Sequence, residues 1–186
     1  MRLQAVSSSG CRPWTLTAIA VLAFTVVTPL HAQTACKLLQ PAELESVLSE
    51  WASGGKAKNF SGSAENSGGI STDVCSSEIV RPNGNLAVTV VVVKNYPMDG
   101  GDAIRIRNAA LAREGQWKVN GARLEQKTVG AAMCTLYGRP SVPAHAVCAI
   151  PRGKGYVEVN VRAPTLKEIA SMDAVGTLVQ KANSRL

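Results

Sequence analysis

Residues 131–150, "AAMCTLYGRPSVPAHAVCAI", carry two cysteines around the single histidine outside the first 32 residues. Cys134, His145 and Cys148 admit three readings: a metal site, a nucleophile with its base, or a disulfide beside which a histidine sits. A structural zinc site normally takes four ligands. Here there are three, with no second C-x-x-C or H-x-x-x-H motif nearby. A thiolate nucleophile needs its base within reach, yet strand residues three apart, as His145 and Cys148 are, point to opposite faces. The disulfide uses everything in the stretch. "GRPSVPAH" (138–145), with Pro140 and Pro143, has to turn, and a turn there returns the second strand beside the first. Cys134 then lies next to Cys148, and His145 becomes a loop residue at the base of the hairpin.

Working outward, the remaining cysteines fit the same chemistry. The chain begins with Arg2 and Arg12, an apolar run "WTLTAIAVLAFTVVTPL" (14–30) and small residues in "HAQTAC" (31–36). This is the pattern of a secretory signal peptide, 1–32, cut after Ala32 or alternatively after Ala35. An uncleaved anchor and lipidation of Cys36 are the competing readings. Pro29 and the small residues favour cleavage, and Gln33 stands where a lipoprotein signal usually has leucine. Removing the leader takes Cys11 with it and leaves Cys36, Cys75, Cys134 and Cys148. An even set in an oxidising compartment reads as disulfides. Four cysteines allow three connectivities. Cys36–Cys75 with Cys134–Cys148 is the expected one, because each pair closes a local piece of chain.

Loss of Arg2 and Arg12 leaves 18 basic against 13 acidic residues, a net charge of +5 compared with +7 for the whole chain. The charges are spread without runs, which describes a solvated surface that tolerates anionic partners. No nucleic-acid-binding module is recognisable. Aromatic residues make up 4% of the chain, so the core has to be built from Val, Leu, Ile and Ala.

Along the mature chain, "KLLQPAELESVLSEWASGG" (37–55) predicts a helix, with Pro41 in its first turn and Leu44, Val47, Leu48 and Trp51 on one stripe. "SGGKAKNFSGSAENSGGIST" (53–72) has neither helical nor strand periodicity and reads as a flexible Gly/Ser-rich loop. "VCSSEIV" (74–80) and "LAVTVVVVK" (86–94) flank the turn "RPNGN" and predict a hairpin. The continuous valine run suggests a central strand covered on both faces. A helix is predicted over "DGGDAIRIRNAALAREG" (99–115), with Ile106 and Ala110 spaced by four. Arg105, Arg107 and Arg113 would line its exposed face or, as a sharper reading, bind an anion. Strands follow at "ARLEQKT" (122–128), "AMCTLYG" (132–138) and the hairpin "VCAIPRGKGYVEVNVRA" (147–163). A last helix opens on a capping box of Thr165 and Glu168 and buries Ile169, Met172, Val175, Val179 and Ala182. The order is α-β-β-α, then three or four strands, then α. It predicts a single α+β domain, 33–186, with a largely antiparallel sheet, about three helices and two disulfides.

Taken together, "ACKLLQPAELESVL", a Gly-rich loop, "DVCSSEIV", "LAVTVVVV", "VGAAMCTLYG", "GYVEVNV" and a closing helix resemble a known family. It is that of the exported cysteine-containing domains of actinobacterial lipoproteins of unknown function. The plan is also similar to the extracellular sensor domain of PknH-type receptor kinases. The resemblance implies an α/β sandwich with two disulfides and a ligand-binding cleft. It carries over no functional residue, and the absent lipobox leucine departs from membrane tethering.

No Ser–His–Asp arrangement with a G-x-S-x-G elbow and no P-loop spacing occurs. Tyr96, Tyr137 and Tyr156 are candidates to line a pocket or to fill half-buried sheet positions. No catalytic, cofactor-binding or metal-ligating residue is assigned; the four cysteines are the assigned site residues. The expectation is a periplasmic or secreted binding or sensor-like module for a small ligand or envelope partner. The alternatives are a periplasmic enzyme acting on a cell-wall or anionic substrate, and a periplasmic enzyme inhibitor.

Overall fold

Two antiparallel meanders meet along one pair of strands. A computed structural model describes residues 33–114 and 118–186; the leader expected at 1–32 lies outside the described residues. The first meander is β1 (Lys56–Ser67), β2 (Ile70–Val80) and β3 (Leu86–Lys94), and the second is β4 (Arg123–Val129), β5 (Ala132–Gly138), β6 (Ala144–Pro151) and β7 (Tyr156–Ala163). β3 pairs with β7, giving a seven-stranded antiparallel sheet in the order β1-β2-β3-β7-β6-β5-β4. The helices are α1 (Gln33–Lys37), α2 (Pro41–Val47), α3 (Ser49–Ala52), α4 (Gly100–Arg113) and α5 (Met172–Asn183). This is the expected α+β class, with one more strand and with the first helix divided. Pro41 does open a helical turn, with the Gln40 amide donating to Glu43 Oε2 at 2.9 Å.

One face of the sheet carries the core. Leu86, Val88, Val90, Cys75, Cys134, Cys148, Val157, Val159 and Val161 point there, under α5 and the α1–α3 segment. The buried stripe predicted for the last helix, Ile169 to Ala182, is buried throughout. Its start differs. Thr165 Oγ1 donates to Glu168 Oε2 at 3.1 Å, but these residues form an isolated turn. α5 begins at Met172, where Ser171 Oγ accepts the Ala174 amide at 3.2 Å. Arg185 Nη1 and Nη2 donate to the two carboxylate oxygens of Glu43, at 2.6 and 2.7 Å, and fasten the end of α5 to α2.

Both disulfides form as expected, Cys36–Cys75 and Cys134–Cys148. The second joins directly opposed residues of β5 and β6. Their burial on the core face makes them structural staples: Cys75, Cys134 and Cys148 are all inside.

Three expectations are corrected. The stretch 53–72, expected to be a loop, contains β1 and half of a hairpin. Gly68 and Gly69 both have positive φ, which a two-residue primed turn requires and glycine adopts freely. β1 shows no alternation because it is an edge strand exposed on both faces; its ladder to β2 forms it, not side-chain burial. β3 is third of seven strands rather than the middle one, and Ala87, Thr89 and Val91 on its second face are only partly covered. In α4 the inward residue is Ile104, 1% exposed, whereas Ile106 is 58% exposed. The helix turns on the glycines at its start, with buried Gly100, Gly101 and Ile104 on one side. α4 must carry the chain from β3 to the far edge strand β4, and it does so across the sheet face opposite the core.

Candidate functional site

That crossing creates a cleft. Asp99 caps α4, its Oδ1 accepting the amides of Gly101 at 2.8 Å and Asp102 at 3.4 Å. The Gly100 amide donates to Gly153 O in the β6–β7 turn at 2.8 Å, which fixes the helix start to the sheet. Farther along, Gln126 Nε2 of β4 donates to Asn108 O at 2.9 Å. Between these ties, Arg107, Asn108 and Leu111 face a floor formed by Thr135, Tyr137, Val147, Glu158 and Asn160, enclosing a cavity of about 140 Å³.

The register explains the floor. Thr135 opposes Val147, Val147 opposes Asn160, Ala149 opposes Glu158, and Tyr137 opposes His145. Strand alternation then sends this set to the α4 face while Cys134, Leu136, Cys148, Val157 and Val159 go to the core. His145 is therefore a strand residue and not part of the turn, which ends at Pro143. It stands on the opposite face from Cys148, as their spacing of three requires. The cleft and the Cys134–Cys148 staple share two strands but not a face.

The polar groups are differently satisfied. Arg107 Nη1 forms an ion pair with Glu158 Oε2, so the inward arginine is neutralised within the cleft. Arg105 pairs on the surface with Asp102. The His145 ring stacks on Tyr137, with centroids 5.0 Å apart and planes 7° from parallel. His145 Nδ1 lies 3.3 Å from Asn160 Oδ1, within hydrogen-bond reach. Burial pushes the His145 pKa down, the Asn160 contact partly opposes this, and the Arg162 charge adds to the lowering. Burial also raises the phenol pKa of Tyr137, with a further contribution from the Glu158 charge. At neutral pH both rings are uncharged hydrogen-bonding groups. Thr135 is fully buried, and its hydroxyl has no hydrogen-bond partner in the protein.

Of the residues singled out in the sequence, the fold brings Tyr137 and Arg107 to the cavity lining, with His145 stacked on Tyr137 beside it. Tyr96 and Tyr156 instead form an edge-on pair, 6.4 Å between centroids, on β7 and the segment after β3. Thr135, Glu158 and Asn160 escaped sequence reading. Their signal is the polar parity of "YVEVNV", which places Glu158 and Asn160 on the face opposite three valines. Among the described residues no group of three or more His, Cys, Asp or Glu is placed to hold a metal ion, and no helix is long and apolar enough to cross a membrane. The chain matches no protein-family model and no curated protein. The arrangement can donate and accept hydrogen bonds around a small guest with little net charge change.

Proposed function

We propose that the protein is an exported binding module that takes a small, polar, uncharged ligand between α4 and the sheet. The observation that carries this is the Thr135 hydroxyl, buried without a partner at the floor of the cavity. An unmet buried hydroxyl costs about 1–3 kcal/mol, and a guest that bonds to it recovers that loss. Asn160 and Tyr137 supply further neutral donors and acceptors, while the Arg107–Glu158 pair leaves no free charge to attract an ion. Two disulfides support an oxidising, extracytoplasmic location. The resemblance to exported lipoprotein and kinase sensor domains points the same way. The test is a series of ¹H–¹⁵N spectra recorded against neutral sugars, polyols and small amides. A ligand should shift the amides of Thr135, Asn160 and Arg107 together, and Thr135→Val should weaken it. Failure of every compound to move those amides, or unchanged binding by Thr135→Val, refutes the assignment.

A further inference from the structure

A second cavity of about 390 Å³ lies at the turn that joins β5 to β6, between three chain segments. Gly121 comes from the approach to β4, Arg139, Pro140 and Ser141 from the turn, and Leu166 and Lys167 from the connection between β7 and α5. None of these residues lines the α4 cleft. The volume falls in the range of pockets that take small molecules. Its lining is predominantly apolar and includes Pro140 and Leu166, together with two cationic residues, Arg139 and Lys167.

The charge balance decides what fits. Neither Arg139 nor Lys167 is paired with a carboxylate among the described residues. The acid next in sequence, Glu168, is already engaged by Thr165 Oγ1 at 3.1 Å and by Arg81 Nη2 at 3.9 Å. An apolar hollow flanked by two uncompensated cations complements a molecule with an apolar body and an anionic end. We propose that this pocket binds a free amphiphilic anion, a medium-chain carboxylate in type, with the chain against Pro140 and Leu166 and the head group between Arg139 and Lys167. The apolar part gains from leaving water, and the charged end gains charge-assisted hydrogen bonds from the guanidinium and ammonium groups. The proposal is independent of the α4 cleft and stands or falls without it.

The experiment is an NMR titration of the oxidised protein with sodium octanoate, below its micelle concentration, with 1-octanol and acetate as controls. Octanoate should give saturable shifts at the amides of Gly121, Ser141 and Leu166, octanol weaker ones, and acetate none. Arg139→Gln with Lys167→Gln, both at the surface of the fold, should weaken octanoate about tenfold or more and leave octanol unchanged. Equal binding of octanol and octanoate, or an unaltered octanoate affinity in the double variant, overturns the proposal. So does the absence of saturable shifts at these three amides. Binding to anionic vesicles without binding to octanoate overturns it in favour of a membrane surface.

Discussion

Replacing Thr135 by valine should make the protein more stable and its cleft less competent. The hydroxyl is enclosed on β5, beneath α4, with no partner. Exchanging it for a methyl group of nearly the same shape removes an unmet desolvation cost of about 1–3 kcal/mol. The added apolar surface contributes up to about 0.8 kcal/mol more. Allowing for imperfect fit of the methyl, a gain of about 1 kcal/mol is expected, which in a domain of this size raises the melting temperature by about 2–4 °C. Thr135→Ser is the matched control. It keeps the hydroxyl and loses the methyl, so it should lose about 0.5–1.5 kcal/mol. Stability should therefore rank Val above Thr above Ser, measured by urea denaturation of the oxidised proteins. Ligand affinity should rank the other way, with Ser close to Thr and Val weaker by a few-fold to about tenfold, the worth of one neutral hydrogen bond. Crossing of the two orders is the signature of a residue held for binding. If valine destabilises by 1 kcal/mol or more, the hydroxyl is satisfied in solution and the reasoning fails.

Further outcomes follow from other parts of the fold. The Glu43 carboxyl is lowered from 4.5 to about 2, chiefly by its hydrogen bonds with Arg185 and then by the Gln40 amide. A depressed carboxylate stabilises fully above its unfolded value and loses that contribution as pH falls from about 5 towards 2. With a side chain still 19% exposed, about 1 kcal/mol is the screened expectation; Glu43→Gln should be less stable by that amount at pH 7 and converge with the parent in acid melts. Removing Cys36–Cys75 by double alanine substitution frees a 39-residue separation and should cost about 4 kcal/mol, against about 3 for the 14-residue Cys134–Cys148, ranked by denaturant midpoints. Gly176→Ala should destabilise by about 1–3 kcal/mol despite alanine's helix preference, because a Cβ there would stand 2.6 Å from Val129 Cγ1. Val129→Ala in the same chain should restore part of the loss in thermal melts.

Local signals were readable and sheet assembly was not. The turns "RPNGN" and "RGKG" and the Gly/Pro punctuation located six of the seven strands, and parity alone separated His145 from Cys148. The same parity, applied to "YVEVNV", is sufficient to find Glu158 and Asn160 once a helix is known to lie above them. The missing piece was long-range. Nothing in either segment states that β3 pairs with β7, so the valine run looked central when its neighbour on that side held the middle place. β1 was invisible because its ten exposed residues of twelve carry no burial pattern. Ile106 misled for the opposite reason: an isoleucine in a helix suggests a buried face, yet α4 turns its glycines and Ile104 inward and leaves Ile106 in water.

The two faces of the sheet explain why this small domain can hold an unsatisfied group at all. The core face concentrates its stabilising contacts in one place: α5, the α1–α3 segment, both disulfides and the Glu43–Arg185 tie. The opposite face is covered by one helix with a poor apolar stripe, fastened at its capped start and by two side-chain contacts near its middle, Gln126 to the Asn108 carbonyl and Arg107 to Glu158. A loss of about 1–3 kcal/mol at Thr135 is affordable only where the rest of the fold is secured independently. Staples placed beneath the cleft would have filled it. Placed on the far side of β5 and β6, Cys134–Cys148 fixes the register that presents Thr135, Tyr137 and Asn160 together, while leaving α4 free of covalent restraint over them. Reduction of that bond should therefore disturb the cleft amides before it unfolds the sheet, an order that hydrogen exchange in dithiothreitol would reveal. Loss of protection in the β1–β2 hairpin ahead of β5 and β6 would contradict it.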